Sequence, residues 1–177
     1  MILAIESLAV QGADYNKLHT GRLEGKLIVQ WLEPDVFLFI PDSSKPLKFI
    51  RGNGTVIQPG RMLTDGGSIP RPLWAFRSYS PWGYAPAFIV HDWLFYIKRC
   101  KLSDYQAWSL ESAADVMAEV MKTMMESGKV EKDPTTVELM QTAVNSRFAK
   151  KYWESELCVP VPPAFNRTPT MQYTIEF

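Results

Sequence analysis

Two short stretches of the chain combine residue types that could carry out chemistry. Asp65-Gly66-Gly67-Ser68 sets a carboxylate and a hydroxyl around two glycines, and His91-Asp92 sets an imidazole beside a second carboxylate. Glycines allow positive φ angles and let the backbone approach a ligand closely, so the first stretch predicts a loop with accessible carbonyls and amides. The chain has one other histidine, His19, which leaves His91 as the candidate general base.

Asp65 and Asp92 are the candidate ligands for a metal ion. An oxygen-rich glycine loop suits a hard cation such as calcium, and carboxylates combined with an imidazole also suit zinc. In this hypothesis His91 activates water, and Asp115, in Ala113-Ala114-Asp115, orients the imidazole from a neighbouring helix. The sequence indicates no further cofactor.

The loop residues also have structural interpretations that compete with these roles. Asp65 could bond its own backbone in a turn, and Ser68 could cap a short helix that contains Pro70. Ser68 could instead be a nucleophile served by His91, but it lacks the Gly-x-Ser-x-Gly surroundings that expose such a hydroxyl. Both interpretations of the loop stay open.

The helix residues have a structural alternative as well. His91 shares a helix face with Ala87, Phe88, Leu94 and Phe95, which also fits a hydrogen-bonded core histidine. Asp115 falls at the edge of an apolar stripe, where a solvated surface carboxylate is equally expected.

Short strands are predicted over residues 20–64. Gly25 to Leu32 alternates between apolar and polar residues, and Val36 to Ile40 is an apolar run that suggests burial on both faces. Leu47 to Arg51 faces Thr55 to Ile57 across Gly52-Asn53-Gly54, a tight-hairpin signal. The first half is therefore expected to be an antiparallel meander.

Three longer helices are predicted after Pro70. The first runs from about Pro86 to Lys98, and the second begins at a capping box, Ser103 to Gln106, and ends at Gly128. A Met-rich stripe on the second helix favours core packing over a partner groove. The third helix follows Asp133-Pro134 and is expected to turn these residues inward: Val137, Met140, Val144 and Phe148.

This order of elements predicts an α+β fold, with an N-terminal antiparallel β meander, three helices and an extended C-terminal tail. We expect one domain over residues 1–158, with strands at about 20–64 and helices at about 70–153, followed by a proline-rich tail over 159–177. Met171 to Phe177 alternates like a strand, and could pair either within the domain or on another subunit.

Composition narrows the possible partners. Nineteen basic and nineteen acidic side chains cancel, so nucleic acid is not expected as a partner. The N-terminus lacks a basic leader region and the apolar runs are too short to cross a bilayer, which predicts a protein made in the cytoplasm without a transmembrane segment. Cys100 and Cys158 show no framework spacing, so they are expected to be two buried or idle thiols.

The succession Thr64 to Arg71, Trp74, Ala87 to Leu94, and Ala114-Asp115 resembles a phage-associated family of the domain of unknown function 1353 type. That family shows a TDGxSxPR stretch, an HDxLY-like helix and a downstream Ala-Asp pair, and the resemblance spans about residues 20–153. The chain departs from the pattern at Phe95, where the family usually has Tyr. The resemblance implies a phage protein, made in the host cytoplasm and incorporated into the virion or acting on the host, but it implies no reaction.

A looser similarity is to calcium-dependent phospholipases, in which a glycine loop precedes an HDxxY helix and a later helix supplies an Asp. The analogy implies that Asp92 and the loop around Gly66 and Gly67 hold calcium, that His91 activates water and that Asp115 orients it.

Three functions follow as hypotheses. The first is a virion-associated structural component of the tail or baseplate, which contacts other phage structural proteins or itself through the tail and exposed aromatic side chains. The second is a metal-dependent hydrolase of lipid or cell-wall bonds with calcium or zinc, and the third is a phage factor that binds a host protein.

Overall fold

A computed structural model describes residues 14–32, 36–64, 83–161, 169 and 171–177. The predicted loop Asp65 to Ser68, Pro70 and Trp74 lie outside the described residues. Among the described residues the fold is mixed α+β, as the order of patterns predicted. The strands are β1 (Arg22–Glu24), β2 (Lys26–Leu32), β3 (Val36–Phe39), β4 (Lys48–Ile50), β5 (Val56–Ile57), β6 (Met62–Thr64) and β7 (Met171–Glu176). The helices are α1 (Ala85–Cys100), α2 (Leu110–Glu126), α3 (Pro134–Val144) and α4 (Arg147–Trp153), with a 3-10 helix at Tyr105–Ala107.

The strands form two antiparallel sheets and not one meander. The smaller sheet has the order β1-β4-β5, and the larger sheet has the order β6-β3-β2-β7. The β4-β5 hairpin is the one predicted around Asn53, with Phe49 opposite Ile57. β6 returns to pair with β3, so that Thr64 lies opposite Phe37 at the end of the larger sheet.

Gly25 forms the corner between the two sheets. Its φ of 90° is in the region that glycine alone adopts readily, and a Cβ atom there would lie 2.1 Å from the carbonyl oxygen of Pro46. The chain therefore leaves β1 in the smaller sheet and enters β2 in the larger one within a single residue. The predicted alternation is present in β2, where Leu27 and Val29 are buried, while Trp31 on the same face is only half-buried.

The C-terminal strand pairs within the chain. β7 runs antiparallel to β2 from Met171 opposite Trp31 to Glu176 opposite Lys26. Of the two alternatives that the sequence left open, the structure shows the one in which the strand completes the domain's own sheet.

The start of α2 differs from the prediction. Ser109, and not Ser103, caps the helix: its hydroxyl accepts the backbone N–H of Ser112, while the Ser112 hydroxyl accepts the backbone N–H of Ser109. Asp104 has a left-handed φ of 63° and precedes the separate 3-10 helix. The predicted capping box at Ser103 to Gln106 is therefore a turn, because a residue with the conformation of Asp104 cannot begin an α-helix. The stop at Gly128, with a φ of 70°, is confirmed.

The last predicted helix is two helices. Asp133 caps α3 by accepting the backbone N–H of Thr136, and a break at Asn145 precedes a new cap at Ser146. Val137, Met140 and Val144 are buried as expected, but Phe148 is 88% exposed. The break at Asn145 interrupts the 3.6-residue periodicity of α3. The buried face of α3 therefore does not continue into α4, and Phe148 is not directed toward the core.

The core surrounds α1. Leu27, Phe39 and Met62 of the larger sheet cluster with Ala85 and Ile89 on one side of this helix. The opposite side packs against the Met-rich stripe of α2, in which Met117 and Met121 are fully buried, so the preference for core packing is confirmed. None of the described helices is both long and apolar enough to cross a bilayer.

Cys100 and Cys158 form a disulfide, which corrects the prediction of two idle thiols. Cys100 is the last residue of α1, and Cys158 follows α4 at a sequence separation of 58 residues with a Cα–Cα distance of 4.7 Å. Sequence spacing shows no such pairing, because only the packing of α4 against α1 brings the two positions together. The bond ties segment 154–161 to the C-terminal end of α1.

Loss of this disulfide should destabilise the fold. A cross-link that closes a loop of this length contributes about 2 to 4 kcal/mol, chiefly by restricting the unfolded chain. We expect the double variant Cys100→Ser, Cys158→Ser to lose about this much free energy of unfolding in urea titrations, and the wild type to lose the same amount in dithiothreitol. An unfolding curve of the wild type that is unchanged by dithiothreitol, with full thiol titration, would contradict the assignment.

Candidate functional site

A cavity of about 580 Å³ lies between α1, α4 and the end of the larger sheet. Most of its wall is apolar, from these residues: Val36, Leu63, Phe95, Ala143, Val144, Phe148, Ala149, Leu157 and Val159. Polar and charged side chains contribute at Thr64, His91, Asp92, Arg99 and Ser146, with the rings of Tyr96 and Tyr152 beside them. An apolar pocket with a few polar groups is the usual form of a small-molecule site.

His91 lies inward on α1, as its helix face predicted, and is 4% exposed. Its Nδ1 lies 3.1 Å from the carbonyl oxygen of Ala113 in the first turn of α2. Because a carbonyl can only accept, Nδ1 carries the proton and donates it, and a neutral ring then has a bare lone pair on Nε2. The ring also packs against Phe95, with the ring centroids 4.8 Å apart.

Burial keeps His91 neutral. Removal of the ring from water lowers its pKa to about 4, although the Ala113 carbonyl, which favours the protonated ring, acts in the opposite direction. At neutral pH, the ring is therefore a hydrogen-bond acceptor, a proton acceptor or a neutral ligand through Nε2.

Asp92 lies next to His91 in the cavity wall and is fixed by the larger sheet. The hydroxyl of Thr64, the last residue of β6, donates to Asp92 Oδ2 at 2.5 Å. Thr64 also lines the cavity, and it directly precedes Asp65, the first residue of the predicted glycine loop, which lies outside the described residues. The contact predicted between this loop and the His91-Asp92 helix stays a prediction.

Asp115 takes part in a different contact from the one proposed for it. Its Oδ1 accepts a hydrogen bond from Gln141 Nε2 of α3 at 2.7 Å, while the imidazole of His91 bonds the Ala113 backbone two residues earlier. Partial burial raises the pKa of Asp115, and the Gln141 bond opposes this change. In the described structure the group that orients His91 is therefore a backbone carbonyl.

Arg99 adds a guanidinium to the cavity. Its Nη2 donates to the carbonyl of Leu157, and its Cζ lies 4.4 Å from the ring centroid of Tyr152. Its buried Nε has no hydrogen-bond partner among the residues that the structure describes. Cys100, which follows it, also lines the cavity. The disulfide thus holds segment 154–161 as one wall of the site.

Sequence reasoning missed Arg99, but a signal for it was present. Asp92, Phe95 or Tyr96, and Arg99 follow each other at three- and four-residue spacing, which puts them on one face of α1. The contributions of α4 and of the 154–161 segment had no such signal, because they depend on the break at Asn145 and on the disulfide.

Among the described residues the donors for a metal are incomplete. His91 and Asp92 both line the cavity, but no group of three or more His, Cys, Asp or Glu side chains in the described part of the chain could hold a metal ion. Asp65, the other proposed ligand, together with Ser68, Gly66 and Gly67, lies outside that part.

The buried imidazole should make the fold acid-sensitive. The pKa of His91 in the folded state, about 4, lies below the ordinary value of 6.5. The contribution of the neutral ring to the free energy of unfolding is therefore fully present above pH 6.5 and is lost as the pH falls through 4. The difference between these two pKa values corresponds to about 3 kcal/mol of unfolding free energy. We expect His91→Asn, whose amide can still donate to Ala113, to remove this part of the pH dependence in urea unfolding. The exposed His19→Asn is the control, and equal pH profiles for His91→Asn and the wild type would refute the prediction.

The site lies largely within a region shared with known sequences. A family described as a protein of unknown function, DUF1353, matches residues 44–134, which is just over half of the chain and includes β4 to α2 with Thr64, His91, Asp92 and Arg99. No curated protein and no solved structure matches the chain. The matched region ends before α4, so the wall formed by Phe148, Tyr152 and Leu157 is outside it. This chain belongs to the DUF1353 family.

Proposed function

We propose that the protein is a hydrolase of amphipathic lipid esters, which bind in the cavity with the scissile bond against His91 and Asp92. The observation that carries the proposal is the location of a neutral imidazole and a carboxylate, side by side, in an otherwise mainly apolar cavity of about 580 Å³. A wall of this kind favours the burial of hydrocarbon. The apolar wall also favours a lipid over a cell-wall sugar as the substrate, because a sugar would need many more hydrogen-bonding groups in the cavity.

In this proposal His91 accepts the proton of the attacking water. The Nδ1–H bond to Ala113 fixes the tautomer, so the proton moves to Nε2 as the water oxygen bonds to the ester carbonyl carbon. The proton then passes to the leaving alkoxide as the ester C–O bond breaks, which gives an alcohol and an acid. Asp92 is an acceptor that can orient the water, with its own position set by Thr64.

The low pKa of His91 has a kinetic consequence. An imidazole with a pKa of about 4 is a weaker base than a free one, but it is unprotonated at every pH above that value. Activity that depends on the free base should therefore persist well into the acid range.

Arg99 is suited to an anionic part of the substrate. Its guanidinium lines the cavity, and within the described part of the chain its buried Nε–H donates no hydrogen bond. A phosphate or carboxylate could take this donor and receive a charge-assisted bond. A phospholipid or a lysophospholipid has both the apolar chain and the anion that this arrangement would bind.

The hydrolase proposal predicts a specific pH profile. With p-nitrophenyl esters of increasing acyl length and with phosphatidylglycerol in micelles, we expect hydrolysis that increases with chain length and an acid limb of kcat/KM near pH 4. His91→Asn should lower kcat by about 100-fold or more, as expected for loss of a general base. His19→Asn is the matched control, and circular dichroism verifies the fold.

Two results would rule out this mechanism. One is an acid limb near the ordinary histidine pKa of 6.5 that remains in His91→Asn. The other is hydrolysis of equal rate in wild type and a folded His91→Asn.

The metal hypothesis is tested separately. A cation held by Asp65 and Asp92 would bind the native state alone, so at a free concentration of 100 times its Kd it would add about 2.7 kcal/mol of stability. Thermal shift with calcium and with zinc should then show a rise in Tm for the wild type and a much smaller one for Asp92→Asn. No rise with either ion would remove the metal from the proposal and leave the His91 mechanism in place.

A virion-associated structural role is the second candidate. The observation in its favour is that His91 already has a partner in Ala113 and needs no ligand, while exposed apolar side chains such as Phe148 and Leu157 could contact another protein. A folded protein without esterase activity that copurifies with phage particles would favour this role over the hydrolase.

A further inference from the structure

We propose that the surface around the mouth of the cavity docks on an anionic lipid bilayer. We name it the α4 surface, and its central residues are Arg147, Phe148, Lys151, Tyr152, Leu157 and Val159. The inference deepens the proposed lipid hydrolase, on which its biological purpose rests, but it concerns binding and is measured without any reaction.

Exposed apolar side chains are concentrated on this surface. Of the eight large hydrophobic side chains that are exposed in the described residues, four also line the cavity: Phe148, Tyr152, Leu157 and Val159. Phe148 and Tyr152 are four residues apart on α4 and so lie on one face of the helix. Apolar area that is exposed and continuous with a cavity marks a surface that contacts something other than water.

The cations beside these side chains indicate an anionic partner. Arg147 and Lys151 are also four residues apart, are exposed and have no ion pair within the described residues. Lys98 and Arg99 approach from the end of α1, where they contact the rings of Trp153 and Tyr152. The chain as a whole has no net charge, so this group is a local excess.

The nearby carboxylates only partly offset this charge. Glu154 lies 3.9 Å from Lys150, and Glu156 lies 3.4 Å from Lys101. Each acid thus has a basic neighbour of its own, and Arg147 and Lys151 are left to attract anions. Attraction of this kind weakens as salt shortens the Debye length.

A bilayer fits this composition better than a protein does. Protein interfaces are depleted in lysine, whereas helices at membrane surfaces combine Lys and Arg with aromatic and aliphatic side chains. Tyrosine is also favoured at the boundary between headgroups and acyl chains. A bilayer bound at the α4 surface would lie over the cavity mouth, so a lipid could enter the site without crossing water.

Vesicle co-sedimentation tests the inference with the full chain. We expect binding to vesicles of equal parts phosphatidylcholine and phosphatidylglycerol, much weaker binding to phosphatidylcholine alone, and release by high salt. The double variant Arg147→Ser, Lys151→Ser should bind the anionic vesicles about 10- to 30-fold more weakly. Lys17→Ser with Lys129→Ser, two exposed lysines elsewhere, is the matched charge control.

The apolar contribution has its own matched pair. Phe148→Ser should also weaken anionic-vesicle binding, while Val56→Ser, which changes an exposed apolar residue of β5, should not. Both positions are exposed, so neither variant is expected to disturb the core.

The outcomes separate this inference from the proposed function. His91→Asn should bind vesicles as the wild type does, and vesicle binding without any esterase activity would sustain the α4 surface while the hydrolase proposal fails. Equal binding to neutral and anionic vesicles, or no binding at all, would overturn the inference. So would light scattering that shows a dimer disrupted by Phe148→Ser, because the surface would then be an interface between copies of the chain.

Discussion

The burial of α1 is the constraint on which the rest of the structure depends. Residues 85–91 are buried on every side of the helix, because the larger sheet covers one side and α2 covers the other. A polar side chain at such a position must find a partner inside the protein. His91 finds it in the Ala113 carbonyl of α2, and this bond links the two packed central helices and fixes the tautomer of the ring.

The same constraint creates the cavity. α1 emerges from the core toward its C-terminal end, where Asp92, Tyr96 and Arg99 are only partly buried, and α4 with the disulfide-tied segment covers this end incompletely.

The smaller sheet is attached from another side by Arg51, which bonds both carboxylate oxygens of Glu119 in α2 at 2.7 and 2.8 Å. A buried pair of this geometry orients the sheet, although its net contribution to stability is small. Both sheets are thus positioned by the central helices.

The chemistry of the site follows from where each group lies along α1. His91, at the last fully enclosed turn, is kept neutral by burial, whereas Asp92 is one residue further around the helix and faces Thr64 at the sheet. Arg99 lies two turns later, beside the aromatic residues of α4. From core to surface, the cavity therefore changes from a neutral imidazole to a carboxylate and then to cations among exposed hydrophobic side chains.

The sequence by itself determined most of the local elements and the inward position of His91, although it misplaced the start of α2. Alternation in β2, Asn53 in the hairpin, Pro86 at the start of α1, Gly128 at the end of α2 and the core side of the Met-rich stripe are all short-range features, so a pattern can predict them. Tertiary structure alone decided the pairing of β7 with β2, the Cys100–Cys158 bond, the Gln141 partner of Asp115 and the outward position of Phe148. The first three depend on contacts between segments that are far apart in the chain, and the position of Phe148 depends on the break between α3 and α4. Neither long-range contacts nor such a break produce a periodic pattern in the sequence.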